Sequence, residues 1–217
     1  MFSALLTALA LACAPAGAQD AQLSAMDTAG NLFSVMTLYT GANNYVQVRK
    51  ISPTGGILWS QSRNSFVEER AGAAATDQPG GILVAAVQRI NHLRTLVLFH
   101  YTAGGQYDWE RVYSDMIENV PTTAAVDRDG NYLVAGNGLK GTRYVARLWK
   151  YGPNGNPLWM REYDNGVGNT YARQLQLDVT NNASLGIESF QSQTATSGQY
   201  SLLTATYDPY GNLVSLR

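Results

Sequence analysis

Short runs of apolar, β-branched and aromatic residues alternate with polar positions along the chain, and clusters of Gly, Pro, Asn and Asp interrupt them at regular offsets. No stretch carries a helical period, so the pattern predicts strands joined by hairpins. Two turn elements recur. The first is an aspartate followed by a tight turn: Asp27-Thr28-Ala29-Gly30-Asn31, Asp77-Gln78-Pro79-Gly80-Gly81, Asp127-Arg128-Asp129-Gly130-Asn131, and a weaker copy from Asp178 to Asn182. Gly or Asn takes the fourth place each time, where a positive φ is needed, and the Asp carboxylate caps the turn's backbone N–H groups. The second element runs from Lys50 to Trp59, His100 to Trp109, Lys150 to Trp159 and Thr206 to Ser215. Pro, Asn or Gly again separates two strand-like runs there, which predicts another hairpin.

Trp59, Trp109 and Trp159 stand fifty residues apart, and so do Asp27, Asp77 and Asp127. A tandem repeat of this length, with two hairpins per copy, is the signature of β-propeller blades. The first copy predicts strands at about 21–27, 31–39, 45–52 and 56–63, and the blades occupy about 21–63, 71–114, 121–164 and 172–217. The fold class is therefore all-β, a β-propeller of four four-stranded antiparallel blades. A β-solenoid ranks lower, because tight hairpins force antiparallel pairing. Closure within one chain is expected, since strand count and blade boundaries coincide with the chain ends. Blades of two chains completing a larger ring is the alternative. The smallest side chains, as in Ala71-Gly72-Ala73-Ala74-Ala75 and Thr122-Thr123-Ala124-Ala125, fall on the first strand of each copy and place it at the axis, with the Trp-bearing fourth strand at the rim.

The pair Asp-x-x-Gly-Asn and Lys-Tyr-x-Pro-x-Gly-x-x-x-Trp, best seen at Asp127–Asn131 and Lys150–Trp159, resembles the bacterial seven-bladed β-propeller repeat of exported proteins. Thr54-Gly55-Gly56-Ile57-Leu58-Trp59 is also similar to the tryptophan-docking motif of quinoprotein dehydrogenases. Both resemblances imply a propeller in which the indole wedges between blades, and both motifs are structural. The copy number departs from those families, which usually show six to eight blades.

Met1 to Ala18 holds no charged residue, has an apolar run from Ala4 to Ala14 and ends Ala16-Gly17-Ala18. This predicts a signal peptide over residues 1–18, a mature domain over 19–217, and a secreted or periplasmic location without membrane insertion after cleavage. Lipidation at Cys13 is the alternative. Cys13 is the sole cysteine, so the mature domain has neither a disulfide nor a thiol nucleophile. Fifteen basic and sixteen acidic residues give a formal charge of −1 with no basic run, which argues against nucleic acid as a partner.

Candidate chemistry is sparse. The two repeated turns share one face of the propeller and leave little room for a distinctive pocket. The opposite face carries the connections Thr40–Asn44, Ile90–Arg94, Lys140–Arg143 and Gln193–Gly198 within blades, and Asn64–Arg70, Asp115–Val120 and Asn165–Tyr171 between them. Repeat folds usually bind through the face that varies. The candidate ligand-binding residues there are Glu68, Glu69, Arg70, His92, Arg94, Asp115, Glu118, Arg143, Tyr171 and Arg173. Glu68 and Glu118 each lie nine residues after a tryptophan and should occupy equivalent positions. His100 takes the place of Lys50 and Lys150 and reads as a repeat position. No zinc spacing is present, and Asp127–Asn131 lacks the distal acid of a calcium loop, so neither metal nor other cofactor is expected. The resulting expectation is an exported, non-catalytic propeller that binds a protein or glycan and is open to homo-oligomerisation. A propeller enzyme, whether quinoprotein-like oxidoreductase, hydrolase or lyase, and a self-assembling structural module are the alternatives.

Overall fold

A computed structural model describes residues 19–39, 44–63, 67–113, 115, 118–192 and 199–217. The expected leader, Cys13 and the loops at 40–43, 64–66 and 193–198 lie outside them. The described chain is all-β, built as four antiparallel four-stranded sheets whose strands follow one another in chain order. Blade 1 comprises β1 (Gln19–Met26), β2 (Leu32–Tyr39), β3 (Asn44–Ile51) and β4 (Ile57–Arg63). Blade 2 comprises β5 (Glu69–Thr76), β6 (Ile82–Ile90), β7 (Leu93–Tyr101) and β8 (Tyr107–Tyr113). Blade 3 comprises β9 (Asn119–Val126), β10 (Tyr132–Lys140), β11 (Arg143–Tyr151) and β12 (Pro157–Tyr163). Blade 4 comprises β13 (Thr170–Leu177), β14 (Ala183–Phe190), β15 (Tyr200–Tyr207) and β16 (Leu213–Leu216).

Both repeated elements form the same hairpin. In the first, the Asp27 N–H donates to the Asn31 carbonyl at 3.0 Å and the Gly30 N–H to the Asp27 carbonyl at 3.0 Å. The second repeats this at Ser52, whose N–H reaches the Gly56 carbonyl at 2.8 Å. The residue before the last takes positive φ, as at Gly30 (+80°) and Gly55 (+89°), and Asn181 does the same at +63° in the fourth copy. A turn followed by one left-handed residue is how a three-residue hairpin matches the strand twist. The opposite face is tighter than the sequence suggests. Ile90 pairs with Leu93 and Lys140 with Arg143, so β6–β7 and β10–β11 are joined by two residues each, with Asn91 and His92 at φ +48° and +68°.

Each blade lays one face on the next, giving three cores in series. Phe33, Val35, Val46 and Val48 of blade 1 meet Ile82, Val84 and Phe99 of blade 2. Leu83, Leu96, Leu98 and Trp109 of blade 2 meet Tyr132, Val134, Trp149 and Tyr151 of blade 3. Leu133, Ala146 and Leu148 of blade 3 meet Leu185, Ile187 and Tyr207 of blade 4. A closed disc needs a fourth core, and among the described residues none joins blade 4 to blade 1. The arrangement is an open arc, which corrects the expectation of closure within the chain.

The physical reason lies in the two end faces. In blade 1 the paired positions Ser34–Arg49 and Met36–Gln47 stand where blade 2 has Val84–Phe99 and Ala86–Val97. In blade 4, Ser184–Thr206 and Gly186–Thr204 stand where blade 3 has Leu133–Lys150 and Ala135–Leu148. Polar side chains replace most of the apolar ones on both outward faces, with Met36 retained and buried in blade 1.

Candidate functional site

In blades 1 and 3 the two turns are locked together by an ion pair. The Asp27 carboxylate accepts the Ala29 and Asn31 N–H groups at 3.0 and 2.9 Å and the Asn31 side-chain amide at 2.9 Å, and Lys50 Nζ sits 3.0 Å away. Lys50 then reaches across to blade 2, donating to the Gly80 carbonyl at 2.8 Å. Blade 3 repeats the arrangement: Asp127 accepts from Asp129 and Asn131, Lys150 lies 2.9 Å from it, and Lys150 bonds the Pro209 carbonyl of blade 4 at 3.1 Å. Burial opposes charge on these aspartates, but the bonds from Asn31 and Lys50 outweigh it and hold Asp27 at about 2. Asp127 is lowered in the same way by Lys150 and Asn131.

Blade 2 keeps the backbone bond from residue 81 but departs from this pattern in its side chains. Pro79 replaces Ala29 and Asp129 and has no N–H to give; Gly81 replaces Asn31 and Asn131; His100 replaces the lysine. Asp77 is satisfied differently as a result. Its Oδ1 accepts the Gly81 N–H at 2.6 Å, and its Oδ2 lies 2.8 Å from His100 Nε2 and accepts the Tyr132 hydroxyl of blade 3 at 2.9 Å. The other imidazole nitrogen, Nδ1, lies 3.0 Å from Asp108, which stands where the other copies have Leu58 and Leu158. Tyr132 likewise replaces Leu32 and Ile82. A Cβ at position 81 would come within 2.7 Å of the Tyr101 carbonyl, 2.8 Å of His100 Nε2 and 2.9 Å of Asp77 Oδ2, so the glycine makes room for both the strand and the ring.

Because imidazole is shorter than a lysine side chain, it does not bridge to blade 3. The space between the turns of blades 2 and 3 remains open as a cleft of about 450 Å³. Asp77, His100, Asp108 and Tyr132 line it, with Arg128 and Asp129 at the rim and Gly130 and Pro153 on the far wall. His100 is stacked on Trp109 at 5.6 Å and 17°, which fixes the ring plane. Burial would raise the Asp77 carboxyl, but the bonds from His100, Tyr132 and the Gly81 N–H outweigh it and lower it. Burial and the Asp77 charge push the Tyr132 hydroxyl far above the usual phenol range, so it stays a proton donor. An imidazole between two carboxylates, with a phenol on one of them, is a proton-handling arrangement. Among the described residues no group of three or more His, Cys, Asp and Glu is placed to hold a metal ion.

This cleft lies on the face of repeated turns, where the sequence suggests little room. Its signal was in the departures from the repeat at positions 79, 81, 100, 108 and 132, rather than in the loops that vary openly.

The candidate residues of the opposite face are spread along the arc. Glu68 and Glu118 are equivalent, their carbonyls accepting the N–H groups of Arg89 and Leu139 at 2.8 Å each. Glu68 pairs with Arg89 at 3.3 Å and Glu118 with Arg94 at 3.9 Å. Glu69 is fully buried against Arg63, which also holds Glu110 at 2.8 Å. Asp115 pairs with Arg147, Arg143 with Asp164 at 3.0 Å, and Arg173 with Glu188. Tyr171 packs on Tyr144 and Phe190 under the Arg173 guanidinium. Arg70 is exposed on β5, and His92 is exposed in its two-residue turn. Arg94 and Glu118 are the two candidates from different blades that the structure brings together.

No protein-family model matches the sequence, and no curated protein does. Among solved structures, the chain is similar to a polysaccharide lyase, an ulvan lyase bound to -[GlcA(1-4)Rha3S]-, with a TM-score of 0.60 at 10% identity, covering 90% of this chain and 56% of that one. A gluconolactonase from Xanthomonas campestris follows with a TM-score of 0.49 at 12% identity, covering 82% of this chain and 57% of that one. An endo-arabinase from Bacteroides thetaiotaomicron gives 0.47 at 13% identity, covering 90% and 77%. The chain thus spans a little over half the length of the first two structures. At these identities the likeness is one of fold, and the fold is that of β-propeller blades.

Proposed function

We propose that the cleft between blades 2 and 3 is the working site of an acid–base propeller enzyme acting on a hydroxylated, glycan-class substrate. One observation carries this reading: the imidazole of His100 and four other departures from the repeat, at positions 79, 81, 108 and 132, line one cleft. A purely structural latch would have kept the lysine. In the proposed chemistry His100 accepts a proton from the substrate and returns one, Asp77 and Asp108 hold the imidazole in position, and Tyr132 is a positioning residue that fixes Asp77 through its hydroxyl. Arg128 at the rim offers a cationic contact for an anionic sugar. The ligand of the ulvan lyase motivates the choice of glycan as the first substrate class to test. Export, expected from residues 1–18, would place the protein where such polymers occur.

Isothermal titration of uronate-containing polysaccharides, with assay of new chain ends, tests the reading in wild type, Tyr132→Phe and His100→Gln. The expected result is binding retained and turnover lost in Tyr132→Phe, with both lost in His100→Gln. Turnover unchanged in both variants would refute it. Binding without turnover is a second reading, favoured by the depth of Tyr132 and His100, which are 2% and 5% exposed. In that case wild type and Tyr132→Phe would bind alike and neither would cleave. The charged residues of the opposite face then remain the proposed contacts for a protein partner.

A further inference from the structure

Between successive blades a tryptophan of one donates its Nε1–H to a turn carbonyl of the next: Trp59 to Ala103, Trp109 to Pro153 and Trp159 to Pro209, at 2.9, 3.0 and 2.9 Å. On either side of the central interface a lysine shares that carbonyl. Lys50 Nζ lies 3.4 Å from the Ala103 oxygen, and Lys150 Nζ lies 3.1 Å from that of Pro209. A carbonyl has two lone pairs, so it accepts indole and ammonium together. Lys50 also donates to the Gly80 carbonyl at 2.8 Å and pairs with Asp27 at 3.0 Å. The repeat therefore builds a seat for one ammonium, made of carbonyls from the second blade and a carboxylate from the first.

Between blades 2 and 3 the carbonyls of this seat are kept, while His100 takes the lysine's place and is held back on Asp77 and Asp108. Among the described residues the Pro153 carbonyl receives only the Trp109 indole, and the Gly130 carbonyl, the counterpart of Gly80, receives no donor. The space before it is open. A Cβ on Gly80 would have Asp27 Oδ2 and Lys50 Nζ within 3.5 Å, whereas one on Gly130 would have, beyond its chain neighbours, only Pro153 Cγ of its own blade within 4 Å. The charges of the lining are also unbalanced. Asp77, Asp108 and Asp129 face one guanidinium, Arg128, and one imidazole, so negative charge is in excess whichever form the imidazole takes. Asp108, where blades 1 and 3 have Leu58 and Leu158, has a side chain 46% exposed and can accept from the cleft.

We propose that the cleft binds a primary ammonium group, carried by an amino sugar whose nitrogen is not acylated. The ammonium would donate to the Gly130 and Pro153 carbonyls, as Lys50 does to Gly80 and Ala103, and to the Asp108 carboxylate. Pro79, Ala103 and Pro153 give the sugar's carbon skeleton walls to pack on. N-acetylation removes the charge and two of the three N–H donors, so the acetylated sugar loses the contact. The choice of a sugar rests on the glycan reading above, while the ammonium rests on the comparison of the three interfaces. Arg128 at the rim is left for an acidic group on an adjoining sugar.

Backbone amide shifts of the full-length protein test this with four probes: glucosamine, N-acetylglucosamine, glucose and Nα-acetyl-lysine methylamide. Glucosamine should give saturable shifts centred on Asn131 and Asn154, whose amides adjoin the two carbonyls. It should bind about ten-fold more tightly than N-acetylglucosamine or glucose. His100→Lys protein, which supplies the ammonium from its own chain, should not respond. If that variant does not fold, Asp108→Leu, which restores the residue of blades 1 and 3, should weaken glucosamine binding by about three-fold. Equal binding of glucosamine and N-acetylglucosamine would overturn the proposal, as would absence of shifts at those amides with glucosamine. Tighter binding of the lysine probe than of glucosamine would also overturn it, by making a protein side chain the occupant. Glucosamine binding without turnover of any glycan would refute the acid–base enzyme and leave this proposal standing, and turnover of uronate polymers with no response to glucosamine would do the reverse.

Discussion

Trp109→Ala probes the central interface, and its outcome depends on the arc being open. Trp109 is 8% exposed, donates its Nε1–H to Pro153 at 3.0 Å, stacks on His100 and meets Tyr132 edge-on at 5.6 Å. Truncating a core tryptophan costs about 3–5 kcal/mol. Within that figure the hydrogen bond accounts for about 1 kcal/mol and the two ring contacts for about 1–2 kcal/mol. Trp59 makes a similar bond but is only half-buried, so Trp59→Ala should cost less. The distinctive expectation concerns cooperativity. Blades 1 and 2 are held to blades 3 and 4 through one core, so weakening it lets the two halves unfold separately. Urea denaturation followed by circular dichroism should show one transition for wild type and a broadened or two-step transition for Trp109→Ala. In a closed ring the halves would remain joined on the other side. A single sharp transition shifted by less than about 1 kcal/mol would refute both the burial and the serial packing.

Four further outcomes follow from the latches. Asp27 is held at about 2 in the folded state, below the value near 4 of an unfolded aspartate, so its stabilisation is complete above about pH 4 and is lost as pH falls toward 2. The stability difference between wild type and Asp27→Asn should therefore shrink over that window, as read by urea midpoints at each pH. Gly81→Asn restores the residue of the other blades but drives a side chain into His100 and Asp77, and should cost about 1–3 kcal/mol. Adding His100→Lys removes the contact with the ring but not that with the Tyr101 carbonyl, and should recover part of that loss in a double-mutant cycle. His100→Lys alone should fill the cleft, leave the fold intact by circular dichroism and abolish glycan binding.

The blades were legible because the sequence repeats what the fold repeats. Asp27, Asp77 and Asp127 cap equivalent turns, and Trp59, Trp109 and Trp159 reach equivalent carbonyls, so constant spacing translates into constant contacts. Closure was not legible from counting strands, because it depends on which face of each strand is apolar. Ser34 and Arg49 in blade 1, and Thr204 and Thr206 in blade 4, carry that information. The cleft was missed for a related reason. In sequence His100 resembles Lys50 and Lys150 by position, whereas its meaning lies in the difference, which shows only beside Asp108 and Tyr132. The cross-blade contact of Tyr132 with Asp77 spans fifty-five residues, and no local pattern announces it.

A ring of blades fixes its own number, since each must turn through the angle that brings the last onto the first. An arc that does not close on itself is free of that constraint. Residues 69–118 form a unit that presents to its successor the same kind of face that its predecessor presents to it, so an added or deleted copy would leave both end blades unaltered. Length in such a protein is a variable open to gene duplication, and the surface it offers grows in steps of one blade.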